Sequence, residues 1–183
     1  MVCVWALLQF MGGWLYGHFI EYAIHRWALH GPGKKKDSLL SFHFHEHHRE
    51  ARRTLMGDSF YHKLGWNGPT KELVGIFLLL MLHLPLVFIA PYFFAALVFS
   101  SISYYVYHLK AHLSPEWARV HLSWHYDHHM GPNQNMNYGI RSDVIDRLLG
   151  TRQIYYGTAD ERRDYSRRLL RHLQTMRSLK GED

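Results

Sequence analysis

Between Leu73 and Leu109 the chain carries no Asp, Glu, Lys or Arg, a run of 37 consecutive residues without a formal charge. A membrane-crossing helix needs about 20 mostly apolar residues, within a range of about 17–25. The run therefore predicts two short spans, about 73–90 and 91–109, with Pro85 and Pro91 bracketing a reversal between them. The competing reading, one buried helix pair in a soluble core, suits a run of this length poorly. Residues Met1 to Ile20 are also uncharged and lack the basic start and small-residue cleavage site of a signal peptide. They predict a third span, about 1–20, in which Gly12, Gly13 and Gly17 would let another helix approach closely.

The charges sit on either side of these runs. Residues 26–71 hold nine Lys and Arg, including Lys34-Lys35-Lys36 and Arg52-Arg53, whereas the Pro85–Pro91 connection holds none. By the positive-inside rule the segments 21–72 and 110–183 are cytoplasmic and the hairpin tip faces the other side. The net charge of +6 is then a signal of topology and of contact with anionic headgroups, and calls for no nucleic acid. The slightly negative mean hydropathy, −0.24, averages apolar spans with a charged cap. Residues 159–180 read as a basic amphipathic helix, with Leu169, Leu170, Leu173 and Met176 at helical spacing among arginines. Gly31-Pro32-Gly33 reads as a turn. The fold expected is a single domain, 1–183: an all-α, multi-pass integral membrane protein of short transmembrane helices with a cytosolic helical cap.

The chain has 16 histidines and one cysteine, Cys3. One cysteine excludes a disulfide framework and any cysteine-based zinc or iron–sulfur site. Ten of the histidines fall in four sets beside the cytoplasmic segments: His25 and His30; His43, His47 and His48; His108 and His112; His125, His128 and His129. Residues three and four apart on a helix share a face. His108/His112 and His125/His128/His129 fit this spacing, and His43/His47/His48 fits a slightly wider sector. His25 and His30 diverge by roughly 140° on an ideal helix. They converge only if the helix ends near Gly31.

Neutral imidazole is the commonest protein metal ligand. Ten of them exceed what one ion accepts, so the count predicts two metals close together, of iron or zinc, with iron preferred for a redox site. A bis-histidine haem would need one histidine on each of two facing helices, not adjacent pairs at the membrane edge. A transporter would place ligands and acids within its spans. Here residues 73–107 contain only His83.

The ordered boxes His25…His30, His43…His47-His48, His108…His112 and His125…His128-His129, around a charge-free hairpin, resemble the fatty acid hydroxylase/sterol desaturase superfamily of membrane non-haem di-iron oxygenases. Asn137-Tyr-Gly139 and Asp146 to Thr151 resemble family features too. The second box departs from the commonest form: it begins at His43, with His45 as the alternative, because position 44 is Phe44. The resemblance implies a cofactor of two iron ions, zinc being possible in an isolated form. It implies O2-dependent hydroxylation of a membrane lipid, whether fatty-acyl, sphingolipid, sterol or carotenoid. Desaturation, or non-enzymatic metal binding, is the alternative. Two electrons per turnover must come from an external donor of cytochrome b5 or ferredoxin type, and a basic cytoplasmic surface suits an acidic carrier.

Metal-bound histidines usually donate their second N–H to a carboxylate or carbonyl. Glu21, Glu46, Asp127 and Asn137 are the candidates nearest the boxes in sequence. Of the remaining histidines His18 and His121 are the candidates for a place near the metals, His121 the better of the two, and His62, His83 and His172 are expected in structural or interfacial roles. Trp14, Phe19, Tyr104, Tyr105 and Tyr107 are candidates to line a lipid groove.

Overall fold

The structure, a computed structural model, describes residues 2–180; Met1, residues 181–183 and the side chains of Val2, Met176, Leu179 and Lys180 lie outside what it describes. It is all-helical, with no strand among those residues. Three helices form an apolar layer: α1 (Val2–Ala23), α3 (Gly68–His83) and α5 (Pro91–Leu113). Asn67 caps α3 by accepting from the Thr70 N–H, with Pro69 in the first turn. Pro85 ends the run, a four-residue turn α4 (Leu86–Ile89) reverses the chain, and Pro91 starts α5. The reversal thus falls between the two prolines, as their spacing predicts.

The closest helix pair is α1 with α5. A Cβ on Gly13 would sit 2.5 Å from the Phe93 carbonyl oxygen and 2.9 Å from Ala96 Cβ, and one on Gly17 would sit 2.5 Å from Ser100 Oγ. Gly13/Gly17 and Ala96/Ser100, each four apart, are two small-residue ridges that let the backbones meet. Gly12 does not take part, since a Cβ there would reach only ordinary contact with the Phe93 ring.

Apolar side chains of this layer point outward. Leu82 is 75 % exposed and Phe88 88 % exposed, in company with Trp5, Leu8, Phe77 and Ile102. An exposed apolar surface this extensive marks a contact with lipid or another protein. By length and composition α5 is the one helix among the described residues able to cross a membrane. The other two expected spans come out differently. α3 has 16 residues and starts at Gly68, inside the charged segment, before stopping at Pro85. α1 is 22 residues long, but Gln9, Tyr16, His18 and Glu21 dilute its hydropathy.

The buried apolar core lies in the cap, where Met56, Ala111, Ala118, Leu122, Tyr126, Met130 and Tyr155 pack together. It is built by the end of α5, by α6 (Pro115–His121) and α7 (Ser123–Met130), and by the loop after α2 (Arg49–Arg53). α8 (Val144–Leu148) packs under α1. α9 (Ala159–Lys180) coincides with the expected amphipathic helix and is anchored at its start, where Arg119 bonds Glu161 at 2.9 Å and Tyr165 donates to Glu116. Leu170 and Leu173 remain exposed on it.

Candidate metal centre

All ten predicted ligands are buried and converge in the cap. Nine fall into two groups whose ligand atoms lie within 4.8 Å of one another: His25, His30, His43, His48 and His128 in the first; His47, His108, His112 and His129 in the second. His125 adjoins the second group, its Nε2 3.2 Å from that of His112.

Local backbone geometry explains the awkward spacings. Ile24–Leu29 and His43–His48 are π-turns, not α-helix. In a π-turn the hydrogen bond runs between residues five apart, so those residues stack on one face. The His30 N–H donates to the His25 carbonyl at 3.0 Å, closing such a ring. This aligns His25 with His30, and His43 with His48, which the ideal α-helix would have splayed. The helix does stop near Gly31, as expected, but the π-turn is what aligns the pair.

The two His-His dipeptides have a related logic. His47 joins the second group and His48 the first, while His128 joins the first and His129 the second. Successive residues on a helix point about 100° apart. Each dipeptide therefore serves both groups, and the two together form the partition between them. The His48 and His129 rings approach to 4.4 Å across it.

The Nδ1 atoms are held from outside. His25 donates to the Tyr138 carbonyl at 2.6 Å, His128 to Met136 at 2.6 Å and His112 to Met56 at 2.8 Å. His47 donates to Asp58 at 2.8 Å and His108 to Glu72 at 2.5 Å. Carbonyls and carboxylates only accept, so the proton of each ring sits on Nδ1 and Nε2 presents a bare lone pair. Yet bare Nε2 atoms face each other: His47 and His108 are 3.2 Å apart. Elsewhere in the cluster burial pushes His25, His43, His48, His128 and His129 well below the ordinary histidine range, and neighbouring imidazoles push further. His30 is pushed down to about 4 by burial and by Lys34.

The lone pairs of His47 and His108, facing one another in a buried site, need a cation between them. Two nitrogens each about 2.1 Å from one ion, at octahedral or tetrahedral angles, lie about 3.0–3.4 Å apart. The observed Nε2 separations are 3.0–3.2 Å: His25–His43, His30–His48, His43–His48 and His48–His128 in the first group, His47–His108 in the second, and His112–His125 beside it. The donor set thus fits two metal ions. His129, with neither ring nitrogen partnered, also aims a free donor inward.

The residues that orient these rings are not the ones expected. Glu21 accepts from Ile140 N, Arg141 N and Arg141 Nε; Glu46 pairs with Lys71; Asp127 bonds Arg152 and Tyr156 N; Asn137 bonds Arg152 and Gln153. None touches a histidine ring. Proximity in sequence misled because a carboxylate next to a ligand on a helix points to a different side. The partners come instead from distant segments. Asp58 and the Met56 carbonyl lie on one turn in which Leu55 and Met56 both have positive φ, 56° and 82°. Glu72 comes from the first turns of α3.

The carbonyls of Met136 and Tyr138 are fixed by a clamp around Asp146, which accepts from Tyr138 N, Gly139 N and Thr151 Oγ1 at 2.7–2.8 Å. Asn137, at φ 60°, makes the intervening left-handed turn. The segments 137–139 and 146–151 thus form the support for His25 and His128. Of the remaining histidines, His45 is not in either group, and its Nε2 bonds the Lys34 carbonyl. His121 is exposed and packs on Trp117, and His18 packs on Trp14, so neither lies at the centre.

Beside the first and second groups opens a cleft whose wall is mostly apolar, built largely from α1, α3 and α5. His25, His43, His47 and His108 form one end, and Leu97, Leu80 and the hydrogen-bonded pair Tyr16–His83 the other. From Glu72 to His83 the cleft follows α3 for about 16 Å. Of the five aromatics expected to line it, Tyr104 does so, donating to Glu72 beside Tyr61. Trp14, Phe19, Tyr105 and Tyr107 do not line it, and Phe19 and Tyr107 face outward.

The family model described as fatty acid hydroxylase matches residues 10–151, a stretch that holds all ten histidines and ends at Thr151 of the Asp146 clamp. No curated protein and no solved structure matches the chain.

Proposed function

This chain belongs to the fatty acid hydroxylase family, and we propose that it is a membrane di-iron oxygenase that hydroxylates a lipid C–H bond with O2 and two external electrons. The observation that carries this reading is the position of two imidazole groups, each preset for a cation, at the end of an apolar cleft. Iron held there supplies the power to reduce O2 and oxidise an unactivated C–H bond. The chain's own residues do the rest. Asp58, Glu72 and three backbone carbonyls hold five of the rings, His47, His108, His25, His112 and His128, in the tautomer that leaves Nε2 free. Leu79, Leu80, Ile76 and Leu97 keep water from the cleft and align an extended lipid against the histidines.

The outward apolar side chains of α1, α3 and α5 support a multi-pass seat in the bilayer, α1 and the α3–α4 segment accompanying α5. The basic cap supports a metal site on the cytoplasmic side. Arg52, which donates to the His129 and Gly131 carbonyls, and Arg168 nearby form a positive surface within one residue of a ligand. This suits an acidic one-electron carrier of cytochrome b5 or ferredoxin type.

The test is oxidation of a membrane-lipid extract by purified protein loaded with ferrous iron, given a reductant and isotopically labelled O2. Hydroxylation adds one labelled oxygen atom to one lipid class, and His128→Ala abolishes it. Loss of two hydrogens without oxygen would show a desaturase, and product formed without O2 would refute an oxygenase.

A further inference from the structure

On the α5 wall of the cleft, toward Leu97, stands a polar station that the histidine chemistry does not use. The Arg141 guanidinium lines the cleft with a side chain only 5 % exposed. Its Nε donates to Glu21 Oε2 at 2.6 Å, and neither Nη group has an acceptor among the described residues. Ser100 also lines the cleft, and its buried Oγ has no hydrogen-bond partner among the described residues. Gly17 lies between them, since a Cβ there would be 2.5 Å from Ser100 Oγ and 3.4 Å from Arg141 Nη2. The missing side chain at Gly17 thus lets Ser100 and Arg141 pack against the same point of α1. A buried hydroxyl without a partner is costly, and an acceptor that reaches it removes that cost.

Charge defines the ligand. Arg141 and Glu21, both buried, already neutralise each other. An anionic ligand would place two anions on one cation in a low-dielectric site, at a desolvation cost. A neutral oxygen, such as an ester or amide carbonyl or a hydroxyl, accepts from Nη and from Ser100 without that cost. Position defines the rest. Ser100, Tyr104 and His108 follow one face of α5 at four-residue intervals, so the station is about 12 Å along the helix from His108.

Resting on the lipid-oxygenase reading, we propose that the substrate is an uncharged lipid whose ester, amide or hydroxyl oxygen docks on Arg141 and Ser100, so that the oxidised carbon is remote from that oxygen and a free carboxylate is disfavoured. Arg141 and Ser100 are then the residues that set specificity and register.

The test is equilibrium binding of tritiated methyl palmitate, palmitate and hexadecane to the metal-loaded protein at fixed detergent, without reductant. Methyl palmitate is expected to bind at least about tenfold tighter than hexadecane, one charge-assisted hydrogen bond being of that order. Palmitate is expected to bind more weakly than its ester. Ser100→Ala, and Arg141→Lys, which keeps the charge for Glu21 but not the free Nη donors, should each reduce the preference for the ester over hexadecane and leave hexadecane affinity unchanged. Equal affinity of wild type for ester and hexadecane, tightest binding of palmitate, or equal loss of ester and hexadecane in both variants would overturn the proposal. Failure of all three probes to bind a metal-loaded protein would overturn the lipid-oxygenase reading itself.

Discussion

Glu72→Gln tests the metal centre at its most exposed assumption, that a carboxylate distant in sequence controls one group and not the other. Glu72 is the acceptor for three donors: His108 Nδ1 at 2.5 Å, Tyr104 O–H at 2.8 Å and Tyr61 O–H at 2.8 Å. Glutamine keeps the shape. With its carbonyl oxygen in the Oε1 place it still accepts from His108 and Tyr104, while its amide N–H₂ faces Tyr61. Tyr61 O–H, a rotor that can also accept, then turns to take that N–H. The fold therefore loses only about 1 kcal/mol, a typical net hydrogen bond.

The metal loses more. His108 Nδ1–H no longer donates to an anion, so Nε2 is less basic, and changes of this kind cost about 10–100-fold in affinity, or about 1.4–2.7 kcal/mol. The assay is chelator-competed titration of ferrous or zinc ion into the detergent-solubilised protein. Wild type should bind two equivalents. In Glu72→Gln one equivalent should weaken by that factor and the other stay unchanged, because the first group draws on Tyr138 and Met136 and not on Glu72. Equal weakening of both equivalents, or of neither, would refute the division into two groups.

Other outcomes follow from the same contacts. His43→Ala should lower metal content, whereas His45→Ala should leave it intact, because His45 lies on the Lys34 carbonyl; elemental analysis of the two purified variants decides. Gly13→Ala should lower stability by about 1–3 kcal/mol, since overpacking a tight contact costs that much, while Gly75→Ala, with nothing within 4 Å of its would-be Cβ, should not; detergent thermal melts read both. Asp146→Ala leaves the buried Tyr138 and Gly139 N–H groups without their acceptor. At about 1–3 kcal/mol for each, it should lower the melting temperature, and in the chelator titration it should weaken the equivalent that Glu72→Gln spares.

Several features were settled by sequence alone. Histidines at spacings of three and four identify a shared helix face because side-chain direction on a helix is a local property. That pointed to His108/His112 and His125/His128/His129, while the pairing of His25 with His30 and the choice of His43 over His45 rested on the resemblance to the family's boxes. The prolines at 85 and 91 located the reversal for the same reason, since their effect on φ and on the N–H is carried by the residue itself. Gly12, Gly13 and Gly17 were all expected as contact residues, and the structure keeps Gly13 and Gly17 but not Gly12, because which side of α1 meets α5 is a tertiary matter.

Only the tertiary structure decided which histidine serves which group and what orients each ring. The π-turns that bring His25 onto His30 and His43 onto His48 run against the α-helical expectation, and packing, not the local sequence, selects them. Asp58, Glu72, Met56 and the Asp146 clamp reach the rings from segments up to 113 residues away in the chain, the separation of His25 from Tyr138. Contacts made across that distance leave no local pattern. Residues next to a ligand, such as Glu46 and Asp127, point elsewhere because neighbours on a helix diverge. The sequence determined that ten imidazoles would lie near one another; the fold determined that nine of them divide into two groups, with ring nitrogens 3.0–3.2 Å apart, because only packing can hold ligand atoms where a cation would join them.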